Sequence, residues 1–110
     1  MARFYEFYQD EEFYHLVSEY CEGGDLLSRI TQERTFSEEK AANILRQIFA
    51  ATALCHSKNI IHRDFKPENI LFESVSAESN LKIIDFGRSK ILKPNTKIVE
   101  RAGSVIRLLY

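Results

Sequence analysis

Four polar side chains in this 110-residue sequence have types and spacings that suit one reaction. In "IIHRDFKPENILF", residues 60–72, Asp64 offers a carboxylate that can take a proton from an attacking hydroxyl. Lys66, two positions on, supplies a cation to set against a transferring anionic group. Asn69 adds an amide oxygen of the hard type that Mg2+ accepts. Asp85, in "IIDFG", ends an apolar run and has a glycine close behind it, a placing that suits a metal ligand at a strand end. Two carboxylates, an amide and a lysine are the parts of a phosphoryl-transfer site, with metal and cation against the phosphates and a base against the nucleophile. An isolated Asp-x-Lys pair is more often a solvated surface pair, so the surrounding elements must carry the chemical reading.

Those elements are legible in outline. "FYEFY" and "FYHLVSEY", within Phe4 to Tyr20, are rich in aromatic and β-branched residues and flank the polar "QDEE", which predicts a hairpin. Gly23 and Gly24 break the strand pattern, and Asp25 stands where a helix N-cap belongs, ahead of a short helix to about Gln32. A longer helix starts at Ser37, with Glu38 and Glu39 in the turn where the dipole favours negative charge. Ala41, Ile44, Leu45, Ile48, Thr52 and Cys55 recur at helical spacing, widened by Phe49 and Leu54, and Lys58 and Asn59 suit the C-terminus. Ile60–Ile61, Ile70–Phe72 and Leu81–Ile84 read as short strands that present loops. From Gly87 onward no period is sustained, and a long irregular segment is expected.

Bulk properties set loose bounds. The length suits one domain, and a hydrophobic fraction of 45% with 28% charged residues is ordinary for a globular chain. A net charge of −1 gives no pull toward nucleic acid or an anionic membrane. No apolar run approaches the roughly 20 residues of a membrane span, and "MARFYEFYQDEEF" has no secretory apolar core. Cys21 and Cys55 lack CxxC or ligand spacing and read as reduced thiols, so a cytoplasmic or nuclear location is expected.

"HRDFKPEN" matches the catalytic-loop pattern of eukaryotic protein kinases, and "DFG" the metal-binding motif that follows it. "SEYCEGGDL" looks like the kinase hinge, and the lysine of "RDFKPEN" is the serine/threonine form. "YCEGGDLLSRI", "FSEEKAANILRQI" and "KIIDFGRSK" together resemble the calcium-dependent protein kinases of plants and protists, over about Phe4 to Gly103. The resemblance implies an α+β fold, a partial protein-kinase-like domain: an N-lobe hairpin over residues 1–20, a hinge at 19–25, and a C-lobe portion over 26–104. It implies ATP with Mg2+, and a protein substrate carrying an arginine upstream of the phosphorylated residue.

Carried over by position, Asp64 would orient and deprotonate the substrate hydroxyl, Lys66 would contact the γ-phosphate, and Asn69 and Asp85 would hold the metal. The backbones of Glu19 and Cys21 would bind adenine above Leu71, and Asp25 would reach the ribose and, with Glu68, favour the upstream arginine. Arg63 would pair with a phosphorylated or acidic residue of the activation segment, while His62 and Phe86 would stack in the spine between the lobes. Ser18 falls at the gatekeeper, a small side chain that hints at an enlarged pocket. Thr96 and Ser104 are possible phosphosites, and Arg88 replaces the commoner apolar residue.

Several family parts are not in the sequence. Its glycines stand at 23, 24, 87 and 103, with no G-x-G. The strand lysine and helix glutamate of the phosphate clamp are missing, residues 105–110 depart from the pattern, and no D-x-D-x-D-G calcium loop occurs. The isolated chain is therefore expected to be catalytically inactive, with its hairpin edge prone to self-association. The reading from another class is a non-catalytic interaction fragment that binds a kinase or its substrates.

Overall fold

The computed structural model describes residues 1–93. Thr96, Ser104 and the departure from pattern at 105–110 lie outside the described residues. In chain order the elements are β1 (Phe4–Gln9), β2 (Tyr14–Ser18), α1 (Leu26–Glu33), α2 (Glu38–Ser57) and β3 (Ile60–Ile61). A 3-10 turn (Pro67–Asn69), β4 (Ile70–Phe72), β5 (Leu81–Ile83) and β6 (Lys90–Ile91) follow. The strands form three two-stranded antiparallel ladders, β1–β2, β3–β6 and β4–β5. The mixed α+β class and the order of elements agree with the sequence. Strand β6 does not: Lys90–Ile91 was expected to be irregular, but pairing with Ile61 and Ile60 orders it. Two residues are too short for a period to register.

Both helix starts are set by caps. The Asp25 carboxylate accepts from the Ser28 N–H at 2.8 Å, and the Ser37 hydroxyl accepts from the Lys40 N–H at 3.2 Å. Each satisfies a backbone donor that has no partner within its helix. Lys58 closes α2, and Asn59 turns the chain with φ +57°, a left-handed conformation that asparagine tolerates better than most residues.

The core is small. Leu26 of α1, Ile44 of α2, and Ile70 and Phe72 of β4 are buried together, with Phe36, Ile48, Phe65 and Leu81 packed around them. On α2, Ile44 and Cys55 are buried, whereas Leu45, Phe49 and Leu54 remain exposed, so only part of the expected stripe is covered. The β1–β2 hairpin is exposed on both faces, Phe7, Tyr14 and Leu16 among its bare side chains. Among the described residues, no helix is long and apolar enough to cross a membrane.

The segment between β2 and α1 is laid along β4. The Gly23 N–H donates to the Phe72 carbonyl at 3.0 Å, and the Phe72 N–H donates to the Gly24 carbonyl at 2.9 Å. This approach requires glycine. A Cβ on Gly23 would lie 2.1 Å from the Ser74 carbonyl oxygen and 2.5 Å from the Phe72 Cβ. Gly24 has open space but a φ of +72°. The Gly-Gly pair, legible only as a turn, thus docks a connection onto the strand that leaves the 3-10 turn.

Candidate active site

The loop between β3 and β4 is tied together from inside. His62 is buried, and its Nε2 lies 2.9 Å from the Ile84 carbonyl, to which it donates, while its Nδ1 accepts from the Asp64 N–H at 3.2 Å. The two contacts call for the Nε2–H tautomer. The ring meets Phe65 and Phe86 edge-on, at centroid distances of 5.2 and 4.6 Å. His62 and Phe86 therefore do associate as anticipated, but edge to face rather than stacked, the geometry that aligns a positive ring edge with a negative face.

Asp64 and Asn69, both buried, face each other across the loop. The Asn69 Nδ2 donates to the Asp64 carbonyl at 2.9 Å and to its Oδ2 at 3.2 Å. That commits the amide nitrogen inward and leaves Oδ1 as the group available to a cation. The Ile84 N–H donates to the Asn69 carbonyl at 3.0 Å, extending the β4–β5 ladder by one rung. This rung brings Asn69 beside the start of the Asp85–Gly87 turn. Asp85 is exposed, has φ +61°, and receives the Gly87 N–H on Oδ1 at 3.2 Å. An amide oxygen and a carboxylate near one ladder end are hard oxygen donors of the kind Mg2+ takes together with phosphate and water. The residues present fit the ion.

Cations flank Asp64. The Lys66 ammonium is 3.2 Å from Oδ2, and the Arg88 guanidinium 3.9 Å from Oδ1. Lys66 is thus directed at the Asp64 carboxylate. Arg88, for which the sequence suggested no role, also accepts on its carbonyl from the Arg63 Nε at 2.6 Å. Arg63 has φ +67°. The segment expected to supply its phosphorylated or acidic partner extends beyond the described residues.

The residues expected on the adenine side lie in the connection and β4. Leu71 alternates with buried Ile70 and Phe72, so it faces the other way, half-buried, with Lys82 as its cross-strand neighbour. The Glu19 N–H donates to the Arg3 carbonyl at 2.8 Å, leaving the Glu19 carbonyl and the Cys21 N–H as the backbone groups for a base. Asp25 is committed to capping: its second oxygen accepts from the Ser28 hydroxyl at 2.6 Å. These donors hold its carboxyl below the usual carboxylate range, the hydroxyl first and the backbone N–H second. Any ribose hydroxyl would share an oxygen with that cap. Glu68 is exposed in the 3-10 turn, and Ser18 is exposed at the end of β2.

A charge cluster that sequence reasoning missed lies under the connection. The Lys82 ammonium is 3.1 Å from the Glu19 carboxylate and 3.4 Å from that of Glu73. The Glu19 carboxylate also accepts from the Arg3 N–H at 2.5 Å. That N–H foremost, with Lys82, holds the Glu19 carboxyl low. Asn80 and then Lys82 lower Glu73, and Glu19, followed by Glu73, raises the Lys82 ammonium against the opposing effect of burial. Burial, with the Glu19 charge, raises the Cys21 thiol. The only sequence signal was the alternation of "LKI", which turns Lys82 away from the core.

A groove of about 420 Å3 between the first turns of α2 and the Ala77–Glu78 loop is remote from all of these groups. It has no part in the chemistry considered.

The family model described as the protein kinase domain matches residues 1–106. Among curated relatives, calcium-dependent protein kinase 21 of Oryza sativa subsp. japonica is 52% identical over 90 residues, covering 82% of this chain and 16% of the relative. Calcium-dependent protein kinase 5 of Plasmodium berghei is 52% identical over 87 residues, 79% of this chain and 16% of the relative. Calcium/calmodulin-dependent serine/threonine-protein kinase 1 of Oryza sativa subsp. japonica is 43% identical over 105 residues, 94% of this chain and 18% of the relative. The chain thus spans less than a fifth of the length of these relatives. With the loop, the Asp-Phe-Gly turn and the docked connection in the family's order, the chain belongs to the protein kinase family.

Proposed function

We propose that these residues form the base, metal and adenine side of a site that transfers the γ-phosphate of ATP to a serine or threonine hydroxyl of a protein. The observation that carries the reading is the Asn69 bridge, with its side chain on Asp64 and its backbone on Ile84. It fixes a base and a pair of metal ligands to one ladder end.

Asp64 accepts the hydroxyl proton as the new O–P bond forms and ADP departs. Lys66 turns from Asp64 to the transferring group. Asn69 Oδ1 and Asp85 would hold Mg2+, which when bound would supply positive charge against the phosphates. The Glu19 carbonyl and Cys21 N–H take the base above Leu71, Asp25 takes the ribose, and Asp25 with Glu68 favours an arginine upstream of the acceptor. Unpaired Cys21 and Cys55 suit a reducing compartment, cytoplasm or nucleus. No G-x-G occurs in the 110 residues, and loss of one preorganised group commonly costs about 10²–10³ in rate. The 110-residue chain alone is therefore expected to bind nucleotide but to turn over near background.

The test is calorimetry of Mg·ATP with the chain and with Asp85→Ala. Saturable binding that the variant loses supports the reading. Binding that survives Asp85→Ala removes the metal assignment. A folded chain that binds nothing favours an interaction role, for which the bare aromatic hairpin is the candidate surface.

A further inference from the structure

We propose that Lys82 is a positioning residue for the nucleotide base, a latch that fixes the height of the Glu19–Cys21 backbone above Leu71 without itself touching the ligand. The proposal rests on the nucleotide reading above and names the group that controls its adenine side.

Three observations carry it. The ammonium joins parts of the chain far apart in sequence, Glu19 of the connection and Glu73 just beyond β4, at 3.1 and 3.4 Å. It does so from partial cover, with side-chain exposures of 21% for Lys82 and 17% for Glu19. Solvent screens such a pair less than a surface pair. Lys82 also stands directly across the ladder from Leu71, so the floor and the latch share one face of β4–β5.

Backbone pairing alone leaves the connection held unevenly. Gly23 and Gly24 are bonded to Phe72, and Glu19 is bonded to Arg3. Between these anchors, the Cys21 N–H has no hydrogen-bond partner among the described residues. The Glu19 carboxylate is the point where the connection is drawn down onto β5, and Lys82 draws it. Glu73 holds the ammonium from the other side and is itself steadied by the Asn80 side chain at 3.0 Å.

The experiment compares the 110-residue chain with Lys82→Met and Lys82→Arg by amide hydrogen exchange and by adenosine titration. The latch requires Lys82→Met to speed exchange at the Glu19 and Gly23 amides by about tenfold while the interior amides of α2 keep their rates. Adenosine affinity should fall by a similar factor, and arginine, which keeps the charge, should restore both. Unchanged Glu19 and Gly23 exchange in Lys82→Met overturns the proposal. So does acceleration of α2 to the same extent, which would mark a general loss of stability.

Adenosine binding by the wild type that Lys82→Met leaves intact refutes the positioning role alone. A wild type that binds no adenosine refutes the nucleotide reading and the positioning role with it. Should the methionine variant not fold, Glu19→Gln, which removes the charge that Lys82 meets at 3.1 Å while keeping the side-chain length, provides the same test. Selective acceleration at Glu19 and Gly23 is expected, and its absence overturns the latch.

Discussion

Alanine at either of the adjacent glycines 23 and 24 should be harmful, but by different mechanisms and to different degrees. A methyl group on Gly23 meets the Ser74 carbonyl oxygen at 2.1 Å, about 1.3 Å inside ordinary contact, and meets the Phe72 Cβ at 2.5 Å. Neither atom is the far end of a flexible side chain, so the connection must lift from β4. Lifting breaks the Gly23–Phe72 and Phe72–Gly24 hydrogen bonds, at a net cost of about 1 kcal/mol each. Overpacking adds about 1–3 kcal/mol, for a total of about 3–5 kcal/mol. At Gly24 a methyl group meets nothing within 4 Å and the penalty is only that of φ +72°, about 1–2 kcal/mol. Urea denaturation followed by far-UV circular dichroism, with exchange at the Phe72 amide, measures both variants. Gly23→Ala should lower the midpoint about two to three times as far as Gly24→Ala. Equal effects, or a Gly23→Ala within about 1 kcal/mol of wild type, would refute the steric account of the docked connection.

Other outcomes follow from the same contacts. Phe72 is 1% exposed, with the Arg29 guanidinium 3.7 Å from its ring centroid; Phe72→Ala should cost about 3–5 kcal/mol in urea unfolding, and Arg29→Ala about 1 kcal/mol. The depressed carboxyl of Asp25 binds fewer protons native than unfolded. Its contribution is therefore complete above the unfolded value of about 3.9 and fades as pH falls through the lower native value. Asp25→Asn, which keeps a cap, should flatten the acid limb of a stability–pH curve, and an unchanged limb would discount the Ser28 bonds.

What the sequence disclosed and what it hid divide along the range of the interactions. Caps at Asp25 and Ser37 act within three residues, and the 3.6 period of α2 spans five turns, so both were readable. The contacts of Asp64 with Lys66 and Asn69 are also local, joining residues two and five apart. The Asn69–Ile84 rung, the Lys82 bridge to Glu19 and the approach of Arg88 to Asp64 each join residues at least 15 apart. No local pattern encodes such contacts, and an isolated lysine in a strand reads as solvated. The extent of cover on α2 was hidden for the same reason: Phe49 belongs to the stripe by spacing yet is 66% exposed.

The division of the strands into three separate two-stranded ladders has a kinetic consequence. Every pairing is antiparallel, and two of the three join strands that are close in the chain. Such local hairpin pairings favour piecemeal folding, with each ladder opening on its own timescale. The two carboxylates hang between different ladders: Asp64 between β3 and β4, Asp85 between β5 and β6. Fraying of the two-residue β3–β6 ladder would loosen one end of each segment while β4–β5 stayed closed. Asp64 and Asp85 would then lose their mutual register well before the core unfolds, so the geometry of the proposed site and the stability of the core would be separate properties of this chain.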